Sequence, residues 1–164
     1  MTMTLVSTIT VGSGGAFSIQ FTGIPQNGKD LMVLLSTRTA SQSIAANMKL
    51  TVNNAESGYN SLFLVANGAL VVSGQSTSPV FYYANGNNST GNTLSSTQVY
   101  FSNYASTGAK VWSVETTMEE MSNADTFRGI VANSGPAGAI TSIQISPTTD
   151  FFVQPSVASL YIIS

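Results

Sequence analysis

Acidic side chains are the first candidates for chemistry in this sequence, because the other usual groups are scarce. The 164 residues include seven Asp and Glu, five Lys and Arg, and neither histidine nor cysteine. The seven carboxylates are Asp30, Glu56, Glu115, Glu119, Glu120, Asp125 and Asp150. A glycosidase needs two carboxylates that face each other across a cleft, and Glu115 with Glu119 or Asp125 is the one cluster that offers such a pair. Glu115 and Glu119 fall on the polar side of a predicted strand or in the bend after it, so we interpret them as solvated charges.

Nucleophilic and metal-assisted chemistry also lack their usual groups. Serines are abundant, but the chain has no Gly-x-Ser-x-Gly motif and no histidine to activate a hydroxyl. The absence of cysteine excludes disulfides and thiolate metal sites, and no Asp-x-Asp-x-Asp loop indicates calcium. We therefore expect a protein that is not an enzyme, with no catalytic residue, no cofactor and no metal.

Aromatic side chains offer a binding site instead. Tyr82 and Tyr83 occur in one short apolar run, and alternation over residues 98–104 places Tyr100 and Tyr104 on one side of a predicted strand. Tyrosine rings opposite a buried face can stack on sugar rings, or they can cover apolar area between subunits, where tyrosine is enriched. We take Tyr82, Tyr83, Tyr100 and Tyr104 as a candidate interface and favour a role in the core or in subunit contact over sugar binding.

The composition supports contact with other protein. Charged residues make up 7% of the chain and hydrophobic residues 43%, whereas an ordinary globular domain has about 25% charged residues. A disordered chain is usually more charged and less apolar than this one. Interface cores are depleted in charge, so the composition suits a surface that meets another protein.

Several other classes of partner are not expected. The net charge of −2 gives no basic footprint for a nucleic acid. No apolar run approaches the roughly 18 residues that a membrane helix needs. The first residues lack the basic and long apolar regions of a secretory signal. We therefore expect no nucleic acid, no membrane and no secretory leader.

Candidate residues must be held by regular elements, and the most informative run is residues 29–38. Its middle, residues 31–35, is five apolar residues in a row, and the Ile-Pro-Gln-Asn-Gly sequence before it is typical of a turn. A short apolar run between charged ends fits a strand that is covered on both faces, or a buried helical turn. Because the apolar run at residues 31–35 is much shorter than ten residues, we predict a central strand. Lys29, Asp30 and Arg38 would then be end charges that mark where this strand leaves the core.

The remaining strands follow from alternation and from short apolar runs. They are predicted at residues 5–11, 17–22, 48–52, 70–72, 80–83, 98–104, 111–118, 143–145 and 157–163, and two further apolar segments occur at residues 127–132 and 151–153. The Gly-Ser-Gly-Gly link at residues 12–15 predicts a hairpin between the first two runs, and residues 106–108 predict a second hairpin. A turn is expected at residues 135–138, and exposed loops are expected at residues 73–78 and 85–96.

Residues 55–67 are ambiguous. Tyr59, Leu62 and Phe63 have the i, i+3, i+4 spacing that one helical turn places on one side. The alternative is an extended segment through residues 62–65. The chain therefore contains about nine or ten short strands and at most one short helix, near residues 57–66. This pattern predicts one all-β domain over residues 1–164, an antiparallel sandwich or barrel.

Several motifs are similar to those of a group of small tailed-bacteriophage virion proteins. Residues 21–26 read Phe-Thr-Gly-Ile-Pro-Gln, and residues 29–31 read Lys-Asp-Leu ahead of a hydrophobic strand that ends in Arg38. The similarity continues at Tyr59-Asn60, at residues 139–145 (Ala-Ile-Thr-Ser-Ile-Gln-Ile), at Phe152 and at residues 159–163 (Ser-Leu-Tyr-Ile-Ile). It covers both ends of the chain and becomes weak between residues 68 and 106.

The resemblance implies a jelly-roll-like β-sandwich in a phage particle, and it carries no active site. Members of this group resemble capsid decoration (cement) proteins or tail-associated proteins and are often trimeric. We therefore expect a homotrimer that binds the major capsid protein at capsomer junctions, on the capsid exterior of the virion. The alternative is a tail fibre or baseplate protein that recognises a host glycan through the tyrosines and residues 86–92. A small hydrolase is the least favoured alternative.

Overall fold

The computed structural model describes residues 2–66, 70–119 and 126–164, and for residues 80–82, 126–130 and 132 it describes the backbone only. These residues form β-strands and contain no helix. The strands are β1 (Met3–Thr10), β2 (Ile19–Thr22), β3 (Asp30–Thr37), β4 (Ala45–Val52), β5 (Asn60–Ala66), β6 (Val71–Ser76), β7 (Val80–Asn85), β8 (Ser95–Phe101), β9 (Ala109–Glu119), β10 (Thr126–Ala137), β11 (Ser142–Pro147) and β12 (Val157–Ile163).

The strands form two antiparallel sheets of unequal size. The larger sheet has the order β1-β12-β3-β8-β9-β10-β5-β6, and the smaller has the order β2-β11-β4-β7. The two sheets pack against each other, with β7 against β8, β9 and β10. The predicted all-β sandwich is therefore confirmed.

The predicted central strand is confirmed as β3, which lies between β12 and β8 in the larger sheet. Leu31, Val33 and Leu35 are buried between the sheets, as alternation along a strand requires. Met32 and Leu34 point to the opposite face and are only half-buried. The expectation that both faces of this strand are covered is therefore wrong for the second face.

The core is an apolar layer between the sheets. Its members include Ile19, Phe21, Leu31, Val33, Leu50, Val99, Phe101, Trp112, Val114, Ile143, Ile145, Phe152 and Leu160. The Trp112 ring lies 5.3 Å from Phe101 and 6.0 Å from Tyr59, between ring centroids. The alternation predicted for residues 111–118 and 143–145 is confirmed, because one side of each strand is buried, and the closing strand predicted at residues 157–163 forms as β12.

The predicted turn at residues 135–138 is wrong at its first three positions, because β10 continues through Ala137. Gly135 lies against the Trp112 ring, where an added Cβ would come within 2.4 Å of a ring carbon. A glycine inside a strand can mark such a close approach and does not have to end the strand. The chain changes direction only at Gly138, which has a φ of +117°.

The first predicted hairpin is wrong, although its glycine turn forms, with Gly15 N donating to Gly12 O at 3.0 Å. Strand β1 pairs with β12 in the larger sheet, and β2 pairs with β11 in the smaller sheet. The link between them therefore crosses from one sheet to the other. It is held there by hydrogen bonds from Val11 N to Ser156 O and from Ala16 N to Phe152 O.

The second predicted hairpin is confirmed, because β8 pairs with β9 in antiparallel register. In the ambiguous segment the extended alternative is correct: residues 60–66 form β5, which pairs with β10 on one side and β6 on the other. Ladders on both sides satisfy the backbone hydrogen bonds of β5, so the segment is a strand although its apolar residues have helical spacing. The loop predicted at residues 73–78 is wrong as far as Ser76, where β6 ends. Residues 86–94 do form a connection, between β7 and β8.

Candidate functional site: the outer face of the larger sheet

The side of the larger sheet that points away from the smaller sheet is the main candidate surface, and we call it the outer face. The strand registers identify the residues of this face, because they alternate with core residues along each strand. Its described apolar side chains include Met3, Leu5, Met32, Leu34, Leu62, Leu64, Val71, Tyr100, Val111, Tyr161 and Ile163. Hydroxyl and amide side chains such as Ser73, Gln75, Gln98, Ser113 and Ser159 lie between them.

Few charges occur on the outer face. Among its described side chains the charged groups are the carboxylates of Asp30, Glu115 and Glu119. Asp30 accepts hydrogen bonds from Tyr100 Oη and from Asn103 N, both at 2.7 Å. Glu119, at the end of β9, accepts one from Thr90 Oγ1 at 3.1 Å. Glu115 is exposed in the middle of β9, between β8 and β10, and the other described side chains of the middle of the face are apolar or carry hydroxyl or amide groups.

The contact between Asp30 and Tyr100 shifts both acids. Burial raises the pKa of Asp30, but the hydrogen bonds from Asn103 and Tyr100 and the charge of Lys29 outweigh burial, so its pKa lies below the ordinary value. The hydrogen bond to Asp30 raises the pKa of Tyr100, and burial raises it further. Asp30 therefore stays ionised near neutral pH and fixes the Tyr100 ring on the outer face.

The four tyrosines predicted as an interface do not lie together. Tyr100 is half-buried on the outer face of the larger sheet, and Tyr83 is half-buried in β7 of the smaller sheet. The backbone of Tyr82 is also in β7, but its side chain lies outside the described part of the molecule. Tyr104 is fully buried and does not share a side with Tyr100, which corrects the predicted alternation over residues 98–104.

The position of Tyr104 has a local cause. Strand β8 ends at Phe101, and Asn103 has a φ of +50°, so the chain turns before Tyr104. The Tyr104 hydroxyl donates to Pro25 O and accepts a hydrogen bond from Gly28 N at 3.3 Å. Tyr161, which the sequence interpretation missed, does lie on the outer face. Its alternation with the buried Leu160 and Ile162 is the signal that could have identified it.

The acidic cluster does not assemble into a glycosidase pair among the described residues. Glu115 and Glu119 are four residues apart on β9, which separates their Cα atoms by roughly 13 Å. A glycosidase pair needs two carboxyl groups roughly 5–9.5 Å apart that face each other across a cleft, whereas Glu115 and Glu119 lie on the same side of one strand. Glu120 and Asp125 lie outside the described ranges. Within those ranges, no group of three or more Asp or Glu side chains could hold a metal ion.

A shallow depression interrupts the outer face beside β5 and β6. Its volume is about 800 Å³, and it is lined chiefly by Asn60, Leu62, Gln75, Thr77, Val111 and Ser134. Leu62 and Val111 expose 64% and 61% of their surfaces there. All of these lining groups are uncharged, so the depression suits an occupant without charge.

A second structured surface is the connection at residues 86–94, which Arg38 holds from below. Arg38 was predicted as an end charge, but it is 8% exposed and lies under this connection. Its guanidinium donates to Ser89 Oγ and Thr93 O at 3.0 Å and to Thr90 O at 2.8 Å. It also donates to Asn87 O at 3.2 Å. The connection is therefore anchored from within the protein.

Comparison with known proteins adds no identity. No protein-family model matches the chain. No curated protein matches it either. In the part of the chain that the structure describes, no helix has the length and apolar character needed to cross a membrane.

Proposed function

We propose that this protein is a structural component of a phage particle, a decoration protein that binds the capsid exterior and reinforces the junctions between capsomers. The observation that carries this proposal is the outer face: a sparsely charged, apolar and hydroxyl-rich surface of an eight-stranded sheet. Such a surface is typical of the buried centre of an interface, where charged residues are depleted. The phage context comes from the motif resemblance described above.

The mechanism is adhesion through burial of this face. Complete burial of an exposed Leu or Val side chain contributes about 1.5–3 kcal/mol. Leu62 and Val111 are both exposed at the depression, so each copy can contribute a modest binding energy. Many copies on one particle then act together, because each bound copy stabilises the junction between capsomers at which it binds. Under this proposal the partners are the major capsid protein and two further copies of this chain, which form a homotrimer.

Binding to capsid shells assembled without this protein tests the proposal. Val111→Glu places a charge on the outer face at an exposed position beside the depression, so the fold should tolerate it while shell binding falls. The matched control is Gln20→Glu, which adds the same charge at an exposed position of the smaller sheet. Sedimentation of shells with bound protein measures shell binding by both variants. Wild-type protein that does not sediment with shells, or equal binding by the Val111→Glu variant, would contradict the proposal.

A tail protein that recognises a host glycan is the second candidate. The anchored connection at residues 86–94 favours it, because Arg38 holds the loop while Asn87 remains exposed at its surface. A rigid loop with an exposed amide can bind sugar hydroxyls without a large ordering cost. Binding on a glycan array that is lost in both Asn87→Ala and Tyr83→Ala would support this function. An array without signal would count against it.

A further inference from the structure

The four edge strands of the sandwich differ in how they are protected. Strands β1 and β6 are the two edges of the larger sheet, and β2 and β7 are the two edges of the smaller one. An edge strand presents a row of backbone N–H and C=O groups that can pair with another strand. Proteins usually block such edges with bulges, charges, prolines or very short strands. Each edge of this molecule can be judged by those features.

Three of the edges carry a protective feature. The pairing of β1 with β12 shifts register between Leu5 and Ser7, which marks a bulge. The pairing of β4 with β7 shifts between Met48 and Lys49 in the same way. Strand β2 is only four residues long. These three edges are poor templates for a long and regular new ladder.

Strand β6 carries none of these features. It pairs with β5 over six consecutive positions without a register shift, and within the described ranges β5 is its one neighbour in the sheet. Its sequence, Val-Val-Ser-Gly-Gln-Ser, contains no charge and no proline. Its glycine, Gly74, lies over the Phe63 ring of β5, where an added Cβ would come within 2.4 Å of the ring. An aromatic ring across from a glycine supports a regular strand at that position.

We propose that β6 pairs in antiparallel register with β6 of a second copy of this chain, about a two-fold axis. The two larger sheets would then form one continuous sheet that crosses both molecules. This contact goes beyond the proposed function and does not depend on it. It would join two copies whether or not each also belongs to a trimer on a capsid.

The absence of charge favours a second copy as the partner. In a two-fold contact the same strand supplies both sides, so any charged residue near the axis approaches its own copy. Like charges that face each other across a ladder are destabilising. Strand β6 is uncharged, and the neighbouring Leu62 and Leu64 of β5 are apolar. Two copies of this edge can therefore pair without charge repulsion, whereas a charged partner strand would have no opposite charge on β6 to pair with.

The exposed area indicates a weak dimer. The apolar side chains of β6 itself are Val71 and Val72, which expose 70% and 51% of their surfaces, whereas Leu62 and Leu64 lie one strand further from the edge. At roughly 60–120 Å² for a fully exposed aliphatic side chain, Val71 and Val72 together offer roughly 70–150 Å² of apolar area per copy. A standard interface buries about 800 Å² per partner, so much of the contact must come from the backbone ladder. We therefore expect dissociation in the micromolar range or weaker, as for small transient interfaces.

Analytical ultracentrifugation of the purified 17.1 kDa chain tests the proposal, over about 1 μM to about 1 mM, the range of weak association. The mass should rise toward that of a dimer with concentration. Ser73→Lys places two like charges near the axis and should weaken the dimer about tenfold or more. Thr4→Lys, at an exposed position of the other edge of the same sheet, is the matched control and should dimerise like the wild type. Far-UV circular dichroism checks that both variants fold, and Gln75→Lys replaces Ser73→Lys if that variant does not.

Amide hydrogen exchange identifies the edge that is used. Amides of residues 71–76 should exchange more slowly at high concentration in the wild type and should lose this dependence in Ser73→Lys. Three results would overturn the proposal: a monomer at the highest concentration, a dimer that Ser73→Lys leaves intact, or equal weakening by Thr4→Lys. Shell binding by the Val111→Glu variant is measured separately, so failure of this contact is distinguishable from failure of the proposed function.

Discussion

Replacement of Arg38 by methionine tests how the connection at residues 86–94 is held. Methionine keeps an unbranched apolar stem but removes every guanidinium donor. In the wild type those donors reach Ser89 Oγ, Ser89 O, Thr90 O, Thr93 O and Asn87 O at 2.8–3.3 Å. The bonds to Ser89 are buried and the others are partly buried. The substitution therefore leaves several acceptors without their donor in places that water reaches poorly.

The magnitude follows from those acceptors. A buried acceptor left without a donor costs roughly 1–3 kcal/mol, and a partly exposed one costs less because water can replace the donor. Removing the guanidinium also removes the desolvation cost of a buried cation, which offsets part of the loss. We expect Arg38→Met to lower the free energy of unfolding by about 2–4 kcal/mol, with much of the effect local to this connection.

Urea denaturation measures this loss, and amide hydrogen exchange over residues 86–94 shows where it occurs. The control is Lys49→Met, which removes a cation that is paired with the exposed Glu56. Such surface pairs contribute about 0–1 kcal/mol, so this variant should remain close to the wild type. A loss below about 0.5 kcal/mol in Arg38→Met, the usual range of a neutral surface substitution, would refute the reasoning. Unchanged exchange over residues 86–94 would refute it as well.

Two further predictions concern the core and the outer face. Gly135→Ala should lower the free energy of unfolding by about 1–3 kcal/mol in thermal or urea denaturation, because its Cβ would overlap the Trp112 ring. Gly91→Ala, which has open space around it, should leave that free energy unchanged. Equal losses in the two variants would contradict this packing. The pKa of Asp30 is lowered in the folded state, so its contribution is present above the unfolded pKa and is lost as pH falls through the folded pKa. The stability gap between wild type and Asp30→Asn should therefore be constant near neutral pH and shrink in acid. A gap that does not change with pH would refute this role.

The strand faces could be predicted from the sequence because alternation is a local property. The apolar run at residues 31–35 indicated the central strand, and residues 98–104 and 111–118 indicated a hairpin that forms as β8 and β9, with β8 ending at Phe101. The errors occurred where local patterns had to choose a distant partner. The polar residues 73–76 look like a loop in sequence, yet pairing with β5 makes them a strand. Gly135 looks like a turn residue until the Trp112 ring is seen against it.

The candidate surface was predictable in character but not in location. Composition alone indicated a protein with few charged side chains and without histidine or cysteine, because counts do not depend on folding. The grouping of four tyrosines into one surface was not supported by their positions, since Tyr104 is buried and Tyr83 belongs to the other sheet. Which side chains share a face beyond one strand depends on register between strands, and register is set by contacts across the sheet.

The sequence by itself determined that this chain forms short strands with few charges, since both follow from residue type and from a period of two. The tertiary structure alone decided which strands meet. It pairs β1 with β12, so that Thr8 Oγ1 lies 2.8 Å from Ser159 Oγ across 151 residues of sequence. It also sets eight strands against four and so leaves the outer face of the larger sheet open. The physical reason is that strand pairing joins backbone groups of almost any sequence, so its partners are chosen by the packing of the whole core.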